Sequence, residues 1–487
     1  MKKQSTSLTR RDLLKASAVT LLASSVNLPA AQPAKKRVIV IGAGIGGLSC
    51  AYDLMERGHD VTVLEGSRRV GGHVKTIREP LADGLYADVG AEQFLKHGYK
   101  AYWHWVKKFD LPWMDYPKRN DMYSFMRGKW RTDADLADAK LQREFGYNER
   151  EVAYMQAHGF KEVQRLYLGL HAAKFKDETQ PFGLGLDELD QVTLGDWLAE
   201  QGASASAGAR RTTKEKPATE GDVSALYRIW QDAVVQMRGL PIFSREVCRL
   251  KGGNDLLTDT FARHLGDRVR KNCRVSAVAH DAAGCTVTFA EAPEAPPQTL
   301  KADYVVFSVS PMVIAGIAVT PAFPANKQYA LTHTPMDMYS RVVLQTKTPF
   351  WKGDHIPSIN LITGDRHMTY VWEMAEEVPG ERRILMGYGQ VADEPAAVLA
   401  AFRKFYPGKQ QETLEQAIVH QWWKEEPLAV GCERTGFPFG KLAQVWPHLI
   451  RPVGRLHFAG AAYDTLRFGQ DAATLSARRT AEAINGA

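Results

Sequence analysis

The stretch "RVIVIGAGIGGLSCAYDLMERGHDVTVLEGS", residues 37–67, decides the fold. Its first five residues are β-branched and apolar apart from Arg37, as a strand buried on both faces of a parallel sheet should be. Gly42, Gly44, Gly46 and Gly47 come next in a tight cluster. In such a loop the first glycine permits the turn, the second lets the backbone approach a pyrophosphate, and the last lets the next helix pack closely on the strand. That helix directs free N–H groups and a dipole of roughly half a charge at the anion. A second strand, "HDVTVLEGS", ends in Glu65, 18 residues after Gly47. A carboxylate there accepts hydrogen bonds from both ribose hydroxyls and repels a 2'-phosphate, so the loop reads as a dinucleotide site that disfavours NADP.

The chain of 487 residues exceeds what one hydrophobic core fills and predicts two or three structural units. Its formal charge is +7, but Lys2, Lys3, Arg10, Arg11 and Lys15 against Asp12 supply four of those units, leaving about +3 for the remainder. That excess is too small to argue for nucleic acid. No apolar run approaches the roughly 20 residues that a bilayer span needs. Five cysteines (Cys50, Cys248, Cys273, Cys285 and Cys432) stand at wide spacings that suggest neither a disulfide framework nor a metal site. His97 and His104 have no metal-ligand partner spacing, and no metal is expected.

Residues 1–34 read as a leader. They carry a charged start, an apolar run over residues 16–26 and small residues near 30–34 suited to cleavage. Arg10 and Arg11, succeeded by an apolar pair and Lys15, resemble a twin-arginine export signal. The resemblance implies passage of an already folded protein through the twin-arginine machinery to the periplasm or beyond, with the nucleotide loaded first.

The segments beyond Glu65 separate one dinucleotide from another. "EGSRRVGGHVKTI" carries Arg69, Gly71, Gly72 and His73, and "YADVGAEQF" carries Gly90, Ala91, Glu92 and Gln93. "LKGGNDLLTDTFARHLGDRVRKNCRVSAV" and "GRLHFAGAAYDTLRFGQDAATLSARRTAEAI" complete the pattern. In these segments, in this order, the chain resembles the flavin-containing amine oxidase superfamily, which includes monoamine oxidases, polyamine oxidases and L-amino acid oxidases. The resemblance implies FAD. By it, the double glycine lies near the cofactor phosphates and the Gly90–Ala91 turn near the flavin ring. Val275 meets the adenine, and Gly460 with Gln470, Asp471 and Ala472 meets the flavin end. It also implies an α/β architecture, with a Rossmann-like FAD-binding domain of the glutathione reductase-like type and a second, mixed α+β substrate domain. The expected segments are 35–95, 241–310 and 431–487 for the FAD-binding domain. Residues 96–240 and 311–430 form the substrate domain, with residues 200–222 a small, polar and flexible insertion.

Several positions depart from the family pattern. Arg341 in "YSRVVLQ" stands where the oxidases usually place a lysine that holds a water beside the flavin, and a planar, permanently charged guanidinium is no simple substitute for an ammonium. This leaves either dioxygen or another electron acceptor. Cys432 occupies the position of a cysteine that bonds the flavin in monoamine oxidases. Glu433 and Gln470 replace both walls of their aromatic cage. An alkylamine must shed its proton before hydride leaves, at a cost of about 4 kcal/mol at neutral pH. Glu433 is therefore read as a general base or as an anchor for a second cation. Glu92 adds negative charge on the same side. Gln93 replaces the arginine that usually holds an amino acid's carboxylate, which argues against an α-amino acid. Ala461 and Ala462 replace an acidic residue that commonly binds the cofactor, a loss for which Asp464 or Asp471 would compensate.

The expected reaction is oxidative deamination of a small, possibly cationic amine, with Arg341, Glu433 and Glu92 nearest the chemistry. The alternatives are desaturation of a carbon skeleton, as in porphyrinogen oxidases and carotenoid desaturases, oxidation of an L-amino acid, and a flavin-bound carrier without turnover. The aromatic cluster "YKAYWHWVKKF", residues 99–109, is read as core in preference to a tunnel lining.

Overall fold

The computed structural model describes residues 34–208, 223–241, 243–292, 294–337, 339–353, 359–389, 394–406, 414–431, 433–437 and 439–487. The leader with Arg10 and Arg11, most of the 200–222 segment and Cys432 lie outside the described residues.

The opening stretch forms the centre of a five-stranded parallel sheet. Strand Arg37–Ile41 lies between Asp60–Leu64 and Tyr304–Phe307, with Ile39 facing Thr62 on one side and Val305 on the other. Val269–Arg270 extends one edge and Leu456–Phe458 the other. Val38, Val40, Val63, Val305, Val306 and Phe307 are buried because helices or strands cover both faces. Helices Ile45–Glu56 and Gly469–Gly486 pack against one another beside it. The sheet thus draws strands from the three segments expected to bind the nucleotide. A smaller sheet built on Arg274–His280 adds Ala318–Thr320 in parallel, so this half of the molecule extends past residue 310.

The second half is a seven-stranded mixed sheet. Ser340–Thr346 lies next to one edge and pairs antiparallel with the edge strand Leu414–Gln421 and with Arg383–Gly389. At the far edge Leu361–Ile362 pairs in parallel with Tyr123–Met126, joining the two expected substrate segments. Every residue of Ser340–Thr346 is buried, including Arg341. The aromatic helix Lys100–Lys108 is mostly core: Tyr102 and Trp105 are buried, and Trp105 meets Tyr52 and Phe261 edge to face. In the segment 200–222, the described start is tied down, with the Ser204 N–H donating to Glu151 at 2.8 Å and Ala207 buried.

The two halves are joined by a buried cation. Arg249, on strand Val247–Leu250, is fully buried and donates to Glu376 at 2.8 Å, to Glu377 and to the Tyr86 hydroxyl. Glu376 and Glu377 come just after the substrate-sheet strand Tyr370–Met374. Removing the cation leaves two half-desolvated carboxylates facing each other. Arg249→Met is therefore expected to lose about 3 kcal/mol, the lower end for breaking a buried pair because both carboxylates keep some solvent. Thermal unfolding of the FAD-loaded protein checks this, and an unchanged midpoint would refute it.

Candidate active site

A cavity of about 550 Å³ runs between the two halves and is lined by residues from all of the chain segments singled out in the sequence. Gly42, at φ 102°, turns the chain out of the first strand in a conformation that favours glycine. A Cβ on Gly47 would stand 2.0 Å from the Gly42 carbonyl oxygen, so Gly47 serves helix packing and does not line the cavity. Gly44 does line it, with ordinary extended backbone and no atom closer than 3.9 Å to the place of a Cβ. It caps helix Ile45–Glu56, which has neither a side-chain cap nor an acidic residue in its first turn. The helix's first N–H groups are thus left for an anion.

Glu65 borders the same end. Its Oε2 accepts from the Ala43 N–H at 2.7 Å, and its Oε1 accepts from the backbone and hydroxyl of Ser67 at 2.8 Å. Three donors fix the carboxylate, and Oε2 keeps a lone pair for a ribose hydroxyl. Val275 lines the cavity near Cys273, whose N–H donates to the Glu65 carbonyl at 2.7 Å. The double glycine meets the first loop directly, the Gly71 N–H donating to the Ala43 carbonyl at 2.8 Å. Arg69 pairs with Glu426 at 2.9 Å and donates to the Gly72 carbonyl at 2.8 Å, which fixes that turn.

From the chain's end, Gly460 packs so closely on Gly46 that a Cβ there would lie 2.9 Å from the Gly460 Cα. Asp464 and Asp471 do not compensate for Ala461 and Ala462. Asp464 is buried between Arg238 at 2.6 Å and Arg479 at 3.2 Å. Asp471 accepts from the N–H groups of Ala101 and Tyr102 at 2.8 and 2.9 Å, capping the aromatic helix in place of lining the cavity. Ala472 is buried in the helix and is not at the cavity surface either.

The opposite end is densely charged. His73 stacks on Trp422 with ring centres 4.2 Å apart, and burial depresses its pKa to about 3, so it is a neutral wall. The Gly90 turn presses on it, the Ala91 N–H donating to the His73 carbonyl at 2.9 Å. Arg341 donates to the Gly90 carbonyl at 3.3 Å, lies 3.5 Å from Glu92 and faces the rings of Tyr339, Trp372 and Tyr388. Glu92 also accepts from Lys118 at 2.5 Å. Burial lowers the Lys118 pKa to about 8, against the opposing pull of Glu92. Glu433 lines the cavity within the fields of Arg467, Asp337 and Arg341, and burial raises its pKa above the ordinary carboxylate value. The Gln470 side chain donates to the Gln93 backbone carbonyl at 3.1 Å, which ties the start of the last helix to the Gly90 turn.

Sequence reasoning missed Lys118 and Arg119, which sit in "DYPKRN" without motif or periodicity. It also passed over Tyr99, whose aromatic neighbours are core while it lines the cavity. Cys50, Cys248, Cys273 and Cys285 are free thiols buried in the protein.

The family model for flavin containing amine oxidoreductases matches residues 45–485. The chain belongs to that family. An L-amino-acid oxidase of Bothrops moojeni is 23% identical over 468 residues, covering 93% of this chain and 90% of the relative. One of Demansia vestigiata is 26% identical over 448 residues, covering 87% and 82%. Among solved structures, cyclohexylamine oxidase from Brevibacterium oxydans superposes with a TM-score of 0.74 at 23% identity, covering 93% of this chain and 99% of that one. Wild-type putrescine oxidase bound to putrescine superposes with a TM-score of 0.75 at 21% identity, covering 93% and 100%.

As a member of the flavin amine oxidoreductases the protein is an FAD enzyme, and its residues fit the cofactor. The uncapped helix at Gly44 suits the pyrophosphate, and the anchored Glu65 carboxylate suits the ribose. A valine at Gly44 would keep the backbone, since its φ of −70° suits any residue, while filling the space that the phosphates need. Gly44→Val is expected to give a folded protein, with unchanged far-ultraviolet circular dichroism, that purifies colourless and takes up no added FAD. A yellow variant would show that the phosphates lie elsewhere.

Proposed function

We propose that the protein oxidises an amine, with Glu433 accepting the ammonium proton that must leave before the carbon–nitrogen bond is oxidised. FAD, when bound, supplies the two-electron acceptor that takes hydride from the carbon bearing nitrogen. The products are an iminium ion, which water hydrolyses to a carbonyl compound and an ammonium ion, the reduced acceptor, and the proton left on Glu433. The single observation carrying this reading is the place of Glu433: a carboxylate in the cavity wall, raised in pKa by burial, where an aromatic wall is expected in monoamine oxidases. Burial, with Asp337, raises its pKa and so its basicity, against the opposing pull of Arg467, Arg341 and the Gly469 N–H. Arg341 positions the Gly90 turn and, with Lys118, balances Glu92.

Desaturation of a carbon skeleton calls for a wide apolar pocket. Here Glu92, Glu433, Arg119, Arg341 and Arg467 all line the cavity, which favours a charged substrate. Arg10 and Arg11 support export by the twin-arginine route, with the protein folded around FAD before it crosses.

A general base acts when ionised, so the rate falls as pH drops through the Glu433 pKa. Because burial raises that pKa, the acid limb lies at higher pH than an exposed glutamate would give. Glu433→Gln is expected to slow anaerobic flavin reduction by about 10²-fold or more at neutral pH and to abolish that limb. An unaltered pH profile of kcat/KM in the variant would remove Glu433 from the mechanism. Arg341→Lys places a compact ammonium beside the Gly90 turn and is expected to speed reoxidation of the reduced enzyme by dioxygen, measured by stopped flow. No gain would mean that Arg341 does not limit the choice of acceptor.

A further inference from the structure

The cavity wall at the Gly90 turn is backed by a charge that does not itself line the cavity. Glu92 and Arg341 line it, while Lys118, the middle residue of the turn Pro117–Arg119, does not. The Lys118 ammonium meets Glu92 Oε1 at 2.5 Å and lies 4.0 Å from the centre of the Trp372 ring. The Tyr116 ring also faces it, at 5.7 Å. The side chains of Lys118 and Glu92 are 10% and 6% exposed, and Arg341, 3.5 Å from the same carboxylate oxygen, is 10% exposed. Three separate elements thus bring two cations and one anion together out of water. Arg341 joins this cluster to the backbone by donating to the Gly90 carbonyl at 3.3 Å.

A buried ion pair adds little stability over apolar side chains of the same size, so its place in the molecule matters more than its presence. Arg249 with Glu376 and Glu377, and Arg238 with Glu178 and Asp464, are formed by residues that stay off the cavity surface. The Lys118 pair differs because its anion is part of the cavity wall. The charged and titratable groups that face Lys118 are Glu92, Arg341, Arg119 on its own turn and Tyr116, with Arg249 beyond the Tyr116 ring. With Lys118 protonated, Lys118, Glu92 and Arg341 together carry one positive charge. A guanidinium does not shed its proton in the working range, and burial pushes the Tyr116 phenol well up. Lys118 is the cation of the cluster that can be discharged, since burial lowers its pKa to about 8.

We propose that Lys118 is a positioning residue for the redox step: acting through Glu92 and Arg341, it sets the charge of the cavity wall at the Gly90 turn and thereby the potential at which FAD takes up electrons. This rests on the reading that places FAD in the cavity with its reactive end toward that turn. Hydride carries two electrons and one proton, so its acceptor gains one negative charge, and a cation behind the wall favours that gain. At an effective dielectric of about 20, a unit charge about 10 Å away alters such an equilibrium roughly tenfold. Loss of the Lys118 proton withdraws this contribution, so the potential falls as pH rises through about 8.

The test uses FAD-loaded wild type, Lys118→Met, Lys118→Arg and Glu92→Gln, each checked for equal FAD content and far-ultraviolet circular dichroism. Midpoint potentials are measured anaerobically against reference dyes, without substrate, from pH 6 to pH 10. At pH 7, Lys118→Met is expected to shift the balance of oxidised and reduced protein about tenfold toward the oxidised form, which is about 30 mV for a two-electron couple. Glu92→Gln is expected to shift it about as far the other way. Wild type is expected to show an added slope of one proton per two electrons near pH 8 and to meet Lys118→Met at pH 10. Lys118→Arg, whose charge does not titrate there, is expected to keep the wild-type potential at pH 7 and to lose the added slope. The comparison of wild type with Lys118→Arg stands even where Lys118→Met takes up no FAD. Equal potentials in wild type and Lys118→Met at pH 7, shifts of the same sign in Lys118→Met and Glu92→Gln, or an added slope that survives in Lys118→Arg overturns the proposal. No amine takes part in the measurement, so a potential that depends on Lys118 in a protein that no amine reduces would sink the deamination reading and leave this one standing.

Discussion

The molecule depends on a contact between bare backbones. Gly46, at the start of the first helix, and Gly460, just beyond the last parallel strand, approach so closely that a side chain on Gly46 would strike the Gly460 Cα. The beginning and the end of the chain are thereby brought together over one anion-binding helix start, whose N–H groups no protein side chain satisfies. Unpaired backbone donors in a protein interior are costly, about 1–3 kcal/mol each. A pyrophosphate bound at this helix start would satisfy them. The same contact ties cofactor binding to the fold, since the segments that line the cavity come from the start, middle and end of the chain.

At the other end of the cavity the organising factor is charge in a low-dielectric space. Glu92 sits between Lys118 and Arg341, and Glu433 among Arg467, Arg341 and Asp337. Opposite charges of this kind hold each other in place, and burial raises the pKa of the Glu433 carboxylate in the cavity wall. An aromatic cage favours the neutral amine by excluding charge. Here Glu433 stands in the cavity wall, and in the proposed reaction it accepts the proton instead. Lys118 shows how far the effect reaches, since burial lowers its pKa to about 8 even beside a glutamate.

Much of the first half was legible because its signals are local. A β-branched run, a glycine loop and a carboxylate at fixed spacing constrain backbone geometry over thirty or so residues, and the structure places Gly42, Gly44, Glu65, Gly71 and Gly72 as those constraints require. Arg341, Glu433, Glu92 and Gln470 were found by their offsets from recognisable motifs, and all line the cavity. Asp464 and Asp471 show the failure of the same method. Each lies near a cofactor motif, yet one is held by Arg238 and Arg479 and the other caps the helix at Lys100.

By itself the sequence determined the parallel sheet, the nucleotide loop and the family, since these depend on residue type at short spacing, where backbone conformation and sterics act directly. Tertiary structure alone decided which charges meet. Lys118 on the turn at Pro117, Glu92 on the Gly90 turn and Arg341 on a sheet strand come from separate elements, and Lys118 carries no local mark of its place. A charge acquires its function from the dielectric and the partners around it, and those are set by packing between distant segments.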